Sequence, residues 1–370
     1  MGGEKICYIV SNVHKSLAFE WIVSGLKQKF TFSFILLNPS SSSLEDFLLK
    51  EGIPVKRINY RGKIDFAKAF IQTCAFLFAN KPKVVHAHLL DAQLVGLSAA
   101  KLLSVPVRIY TRHNSNFHQA FHPKGVIFDY FSNWLATKII SISSATDITL
   151  TRLEKVSESK IIKIPHGFDL NIFKVSTERT EQIRSKWGIE ENKPVVGVIA
   201  RHIEWKGVQF IIPAFRQFLE EVPTATLILA NASGPYHQKI LELLKQLPKE
   251  SYTLIPFEED VAALYSVFDL YVHTPIDPIC EAFGQTYIEA LAAGVPSIFT
   301  LSGIAAEFIK HERNALVVDF KDSDGIKTAL TRLWKEGELR KHLIENGRQD
   351  VVSRFEIKTM TESLRKLYEG

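Results

Sequence analysis

Short apolar runs alternate with longer amphipathic stretches along the whole chain. In the first half, KICYIVSN (Lys5–Asn12), TFSFILLN (Thr31–Asn38), PKVVHAHL (Pro82–Leu89), PVRIYTRH (Pro106–His113) and TKIISIS (Thr137–Ser143) have the length and β-branched content of buried strands. Between them, KSLAFEWIVSGLKQKF (Lys15–Phe30) and FAKAFIQTCAFLFAN (Phe66–Asn80) place apolar residues at helical spacing. KIIKIPHGFD (Lys160–Asp169) closes this half with a short strand and a turn. The rhythm restarts with strands at PVVGVIAR (Pro194–Arg201), ATLILAN (Ala225–Asn231), YTLIPF (Tyr252–Phe257), DLYVHTP (Asp269–Pro275) and VPSIFTL (Val295–Leu301). Helical segments follow at Lys206–Val222, Tyr236–Leu247 and Asp260–Phe268. The pattern predicts α/β architecture with two parallel doubly wound sheets, whose ligands bind outside the carboxyl ends of the strands. The charged stretch Lys174–Lys193 reads as the linker region.

A length of 370 residues fits two domains. With 46% hydrophobic and 23% charged residues, the composition is that of a packed globular protein. Cys7, Cys74 and Cys280 are scattered, fit neither a disulfide framework nor a zinc knuckle, and point to a reducing, cytoplasmic setting. The most apolar helical window, Phe66–Asn80, is shorter than a membrane span and is interrupted by Lys68. Charge is uneven. Residues 1–172 carry 21 Lys+Arg against 12 Asp+Glu, a net +9, whereas the remainder nets −4. The first half is therefore expected to face something anionic, a membrane surface, a phosphorylated lipid or a nucleic acid, the alternative being that two halves have simply drifted apart in charge. No nucleic-acid-binding motif is recognisable.

The turn after the first strand, SNVHKSLAFE, lacks the G-x-G-x-x-G fingerprint, and no P-loop is present, which disfavours NAD enzymes and P-loop NTPases. In ARHIEWKG (Ala200–Gly207), Arg201 ends a strand and Lys206 opens a helix. Two cations there suit a diphosphate, or are simply solvated surface charges. CEAFGQTYIEALAAGVPSI (Cys280–Ile298) predicts a helix that starts near Gly284–Thr286 and stops at Gly294. Its first amides form an anion site, with Glu281 before it and Glu289 inside it. The alternative is an exposed Glu289 and a Glu281 that merely favours the dipole. His86 and His88 share one face of a strand, and a packed pair is favoured over a metal pair. HQAFH (His118–His122) lacks the glutamate of a zinc helix and reads as a mobile loop or helix.

EAFGQTYIEALAAGVPSI resembles the E-x7-E signature of retaining GT-B glycosyltransferases, in particular glycosyltransferase family 4. VVGVIARHIEWKGVQFIIPAF, IIKIPHGFDLNIF, SGIAAEFIKHERNALVV and FEIKTMTESLRKLY resemble further segments of that family, in the same order. The resemblance implies a GT-B fold, two Rossmann-like domains facing a cleft, with a C-terminal helix crossing back to the first. The domains would be 1–172 plus about 355–370 for the acceptor, and 173–354 for the donor.

It also implies site roles. Arg201 and Lys206 would hold the donor diphosphate, Glu289 the ribose and Glu281 the transferred sugar. Amides of Phe283, Gly284 and Gln285 would lie near sugar and phosphate, with Phe257 near the base. In the first domain, His113 would lie by the reacting sugar. No cofactor or metal is implied; the donor would be a nucleoside diphosphate sugar, most often of UDP. The acceptor would be a glycan or lipid-linked sugar, with peripheral contact between the basic first domain and an anionic membrane. The family's glycine pair after the first strand is missing, although Glu20 is kept. A GT-B nucleotide-sugar epimerase, a sucrose-type synthase and an inactive nucleotide-sugar-binding subunit are the alternatives.

Overall fold

The computed structural model describes residues 3–370. Contacts divide the chain into two units. One runs to Phe168 and takes in Ile357–Gly370; the other is Asp169–Glu356.

The first unit is built on a parallel sheet of β1 (Lys5–Ser11), β2 (Thr31–Leu37), β3 (Val55–Ile58), β4 (Val84–His88), β5 (Val107–Arg112), β6 (Lys138–Ser141) and β7 (Ile161–Lys163). Its strand order is β3-β2-β1-β4-β5-β6-β7. The second unit holds β8 (Val195–Ile199), β9 (Thr226–Ala230), β10 (Tyr252–Ile255), β11 (Leu270–His273), β12 (Ser297–Phe299) and β13 (Leu316–Val317). These pair in parallel in the order β10-β9-β8-β11-β12-β13. Each sheet reverses its winding once, at β1/β4 and at β8/β11, and the crevice at such a reversal is where open α/β sheets bind ligands.

The strands read as continuous apolar runs because helices cover both faces. In the first unit, Cys7, Ile9, Ile35, Leu37 and Val85 pack under helices that contribute Ala69, Leu77 and Ala99. In the second, Val196, Val198, Leu229 and Val272 pack against Ile211, Phe215 and Leu330. Helix Ile357–Glu369 packs on helix Leu17–Leu26 within the first unit, as expected for the helix that crosses back.

One expectation needs correction. The charged stretch after Lys174 is not a linker but a helix, Thr177–Trp187, inside the second unit. Ser176 caps it, Gly188 ends it in the left-handed region (φ 63°), and Ile183 is its one buried residue, too little for a visible apolar stripe. β3 and β13 were not anticipated. VKRI is an edge strand half polar in sequence, and β13 has only two residues. HQAFH, which left a mobile loop or a helix open, is the helix Phe117–Phe121. Among the described residues, no helix is long and apolar enough to cross a membrane.

Candidate functional site

In the second unit, the site is assembled at the β8/β11 reversal. After β8 the chain makes a tight turn, Glu204–Lys206, that ends at Gly207 with φ 76°. A Cβ on Gly207 would lie 1.8 Å from the Thr274 carbonyl oxygen, so only glycine lets this turn press against the end of β11. The Ile276 amide donates to the Trp205 carbonyl at 3.1 Å and ties the same two loops together. Lys206 Nζ thereby reaches Glu281 Oε1 at 2.5 Å.

Glu281 is supported from behind. Its amide donates to Ser302 Oγ at 3.3 Å. Gly303 (φ 60°) passes so close that an added Cβ would come within 2.9 Å of Glu281 Cβ. Burial pushes the Glu281 carboxyl up, but the Lys206 ammonium outweighs it and holds the group at about 2. It is therefore an anchored carboxylate at any physiological pH.

His273, the last residue of β11, was not singled out from sequence. Its Nε2 stands 3.5 Å from Glu281 Oε1 and its ring meets Tyr287 edge-on at 4.8 Å. The side chain is buried, yet neither ring nitrogen makes a hydrogen bond, and Thr274 Oγ1 beside it is also without one. Buried polar atoms left unmatched are uncommon in native proteins, and a water or an incoming ligand group can supply the missing partner. The strand-end rule would have found His273, because DLYVHTP ends at the reversal just as PVRIYTRH ends at His113. Burial lowers the His273 pKa, and Lys206 adds to that against the pull of Glu281, so the ring is neutral.

The helix that follows Glu281 is Gln285–Ala293, capped by Gly284 and Gly294 in left-handed conformations (φ 86° and 76°), as the sequence suggested. The first amides of a helix lack intrahelical partners, and they open here beside Glu281. Gln285 is exposed, whereas the Phe283 side chain is buried against Phe355 with ring centroids 6.1 Å apart. Phe283 can therefore offer a ligand only its backbone. Glu289 lies one turn in, half-buried, and accepts a hydrogen bond from the Tyr265 hydroxyl at 3.1 Å. Burial pushes its carboxyl up to about 7, and the tyrosine pulls it back only in part.

Of the other residues expected here, Arg201 is exposed just past β8 and makes no ion pair among the described residues. Phe257 is 71% exposed on the loop after β10. The next residue fixes that loop, since Glu258 accepts from Lys186 Nζ and Trp187 Nε1, both at 2.7 Å, and from the Asp260 amide at 2.8 Å. The helix misread as a linker thus holds the Phe257 loop.

His113 belongs to the first unit, in a row of histidines at the β1/β4 reversal. His86 and His88 project from one face of β4, with ring centroids 4.2 Å apart. His86 bonds Tyr368 at 2.7 Å and Thr111 at 2.9 Å. His88 Nδ1 meets His113 Nε2 at 3.0 Å, and His113 stacks on His166. Burial, reinforced by neighbouring rings, brings His113 down to about 3, so it acts as a neutral hydrogen-bonding group. Among the described residues no cluster of three or more His, Cys, Asp or Glu can hold a metal ion.

A second set of buried charges fastens the loop carrying His113. The Arg112 guanidinium donates to Asp129 at 2.8 Å and to Glu154 at 2.5 Å, and also to the carbonyls of Asn114 and Ser115. His118 bonds Asp129 at 2.7 Å, which fixes helix Phe117–Phe121.

Residues 179–350 match the family Glycosyl transferases group 1, and residues 27–172 match Glycosyltransferase Family 4. An uncharacterized glycosyltransferase of Methanocaldococcus jannaschii is 25% identical over 297 residues, 75% of this chain and 73% of that protein. The capsular polysaccharide biosynthesis glycosyltransferase CapM of Staphylococcus aureus is 24% identical over 316 residues, 81% and 80% of the two chains. Among solved structures, Anabaena HepE in complex with UDP-glucose superposes with a TM-score of 0.83 at 20% identity, over 99% of this chain and 100% of that one. At that identity the likeness shows the fold.

Proposed function

The chain belongs to the GT-B glycosyltransferases of family 4, and from that premise we propose that it moves a sugar from a nucleoside diphosphate sugar to a hydroxyl of a glycan or glycolipid, with the anomeric configuration retained. A UDP-sugar is the favoured donor and GDP-mannose the second choice. The observation that carries this reading is the Lys206–Glu281 pair beside the unmatched His273 and Thr274, at the mouth of a helix N-terminus. Solved neighbours with UDP or UDP-glucose bound support the donor class, and the name of the CapM relative supports cell-surface polysaccharide assembly.

In the proposed step, the C1–oxygen bond of the donor breaks and its electron pair leaves with the diphosphate. Arg201, Lys206 and the amides of Gly284 and Gln285, with that of Phe283, stabilise the developing charge. The acceptor oxygen bonds C1 on the same face and its proton passes to the departing phosphate. Glu281 is braced on Lys206 and Ser302, which suits positioning a sugar rather than attacking it. Glu289 takes the ribose diol, because a carboxylate only accepts and a diol offers two donors. Phe257 lies against the base. His113 hydrogen-bonds a sugar hydroxyl as a neutral ring. The protein works in the cytoplasm, on an acceptor held at the inner face of a membrane.

Thermal denaturation with UDP-, GDP- and ADP-sugars tests the donor reading, because a ligand bound to the folded state raises its stability by mass action. A UDP-sugar is expected to raise the midpoint; no rise with any nucleotide sugar would sink the proposal. Glu289 adds a pH signature. A diol binds the carboxylate, so UDP affinity is full above pH 7 and falls, by at most about tenfold per pH unit, as the free group protonates below it. Calorimetric titration should show Glu289→Gln binding more weakly and losing this part of the slope, while retaining the phosphate's own titration. An identical slope in both proteins would remove Glu289 from the ribose site.

A further inference from the structure

Helix Val126–Leu135 is inside out. It buries Asp129, Ser132 and Asn133 with Leu135, and turns Ile127 (68% exposed), Tyr130, Phe131 and Trp134 (59% exposed) to solvent. The exposed positions follow i, i+3, i+4, i+7 and so form one stripe. The inward polar residues have a reason. Asp129 pairs with Arg112 and His118, and Asn133 donates to Glu154. Nothing in that network requires aromatic residues on the outer face, where a solvated helix carries charge.

The stripe is wider than the helix. The Tyr130 hydroxyl donates to the Leu153 carbonyl at 3.2 Å, which brings exposed Leu153 alongside. Lys101 Nζ sits 3.3 Å from the Trp134 ring centroid, and exposed Leu102 follows it in the chain. Contiguous exposed apolar surface of this kind marks an interaction site.

Charge selects the partner. Arg152 and Lys155 are exposed on either side of Leu153, and Lys124 is exposed just before the helix. The acids among them, Asp129 and Glu154, are buried and paired with Arg112. An aromatic stripe framed by cations is the composition that seats in the headgroup region of an anionic bilayer. A second copy of the chain is a poorer fit, because an isologous contact sets the same lysines and arginines near one another.

We propose that the Ile127–Trp134 face is a membrane-docking surface that places Phe131 and Trp134 in the headgroup boundary of an anionic bilayer. The purpose of such docking rests on the membrane-borne acceptor proposed above; its geometry does not. Flotation of the full chain with vesicles of equimolar phosphatidylglycerol and phosphatidylcholine, against phosphatidylcholine alone, tests it. The protein is expected to float with the anionic vesicles and to release as salt rises. Phe131→Ser with Trp134→Ser should weaken binding about tenfold or more, and Lys101→Glu with Lys155→Glu severalfold. The thermal shift given by UDP-glucose should be unchanged in both variants, which shows that they fold and keep the donor site.

Wild-type protein that stays down with anionic vesicles, or a serine variant that floats equally well, overturns the proposal. So does a wild-type dimer in sedimentation that the serine variant splits without any vesicle binding. Vesicle binding is read without donor. A chain that floats but gives no shift with any nucleotide sugar therefore overturns the donor reading and leaves this surface standing.

Discussion

If Lys206 faces the departing diphosphate as proposed, Lys206→Ala is expected to lower the turnover of sugar transfer by about 10²–10³-fold, the loss typical of one preorganised donor facing a charge that develops in the transition state. The rate loss is expected mainly in kcat, since the diphosphate carries more charge as it leaves than while it is bound. A second effect accompanies it. Glu281 is held at about 2 against an ordinary 4.5, chiefly because Lys206 outweighs burial. A depressed carboxyl contributes stability that is complete above pH 4.5 and is lost as pH falls from there toward 2. In Lys206→Ala that acid limb flattens, and stability at neutral pH falls because Glu281 is left buried without its cation. Adding Glu281→Gln should recover stability without recovering turnover. Steady-state kinetics with urea unfolding of the single and double variants checks both parts. A double variant that regains activity would mean that Lys206 serves the fold and not the leaving group.

Arg112→Met destabilises the first unit by about 3–5 kcal/mol, because it strands two buried carboxylates, Asp129 and Glu154, that share one guanidinium. A loss of that size lowers the unfolding midpoint by roughly 10 °C for a unit of this size. Arg112→Lys keeps a charge but cannot fork to two acids and two carbonyls, so it should fall between the two proteins. The same guanidinium holds the Asn114 and Ser115 carbonyls, hence the loop that begins with His113. Calorimetric scans give the midpoint. An Arg112→Met midpoint within a degree or so of wild type would show that the network relaxes without cost.

The strands of both sheets were legible because burial on both faces leaves continuous apolar runs, and the two glycines of Gln285–Ala293 announced that helix. The proximity of Lys206 to Glu281 was not legible from spacing. It depends on β8 lying beside β11 and on the close approach at Gly207, which are facts of sheet order rather than of local pattern. His273 could have been noticed as a strand end, but its neighbours Lys206, Glu281 and Tyr287 come from a turn, a loop and a helix that only the fold brings together. Thr177–Trp187 hid because a helix with one buried side chain has no apolar period to read. Val126–Leu135 was concealed differently. Its apolar spacing is that of an ordinary core helix, and only the partners of Asp129 and Asn133 reveal that the apolar side faces out.

The histidine row has a consequence for biosynthesis. Tyr368 closes it, bonding His86 and the Tyr8 hydroxyl across sequence separations of 282 and 360 residues. A nascent chain exposes β1 and β4 early, yet these partners arrive only after the whole of Asp169–Glu356 has been translated. Domains ordinarily fold from the N-terminus as they emerge from the ribosome. Here the second unit, although made later, has all its own parts first, and the first must wait with an unfinished sheet end. Proteolytic trimming that removes Tyr368 would return the first unit to that waiting state, with His86 and Tyr8 again lacking a shared partner, and leave the second unit whole.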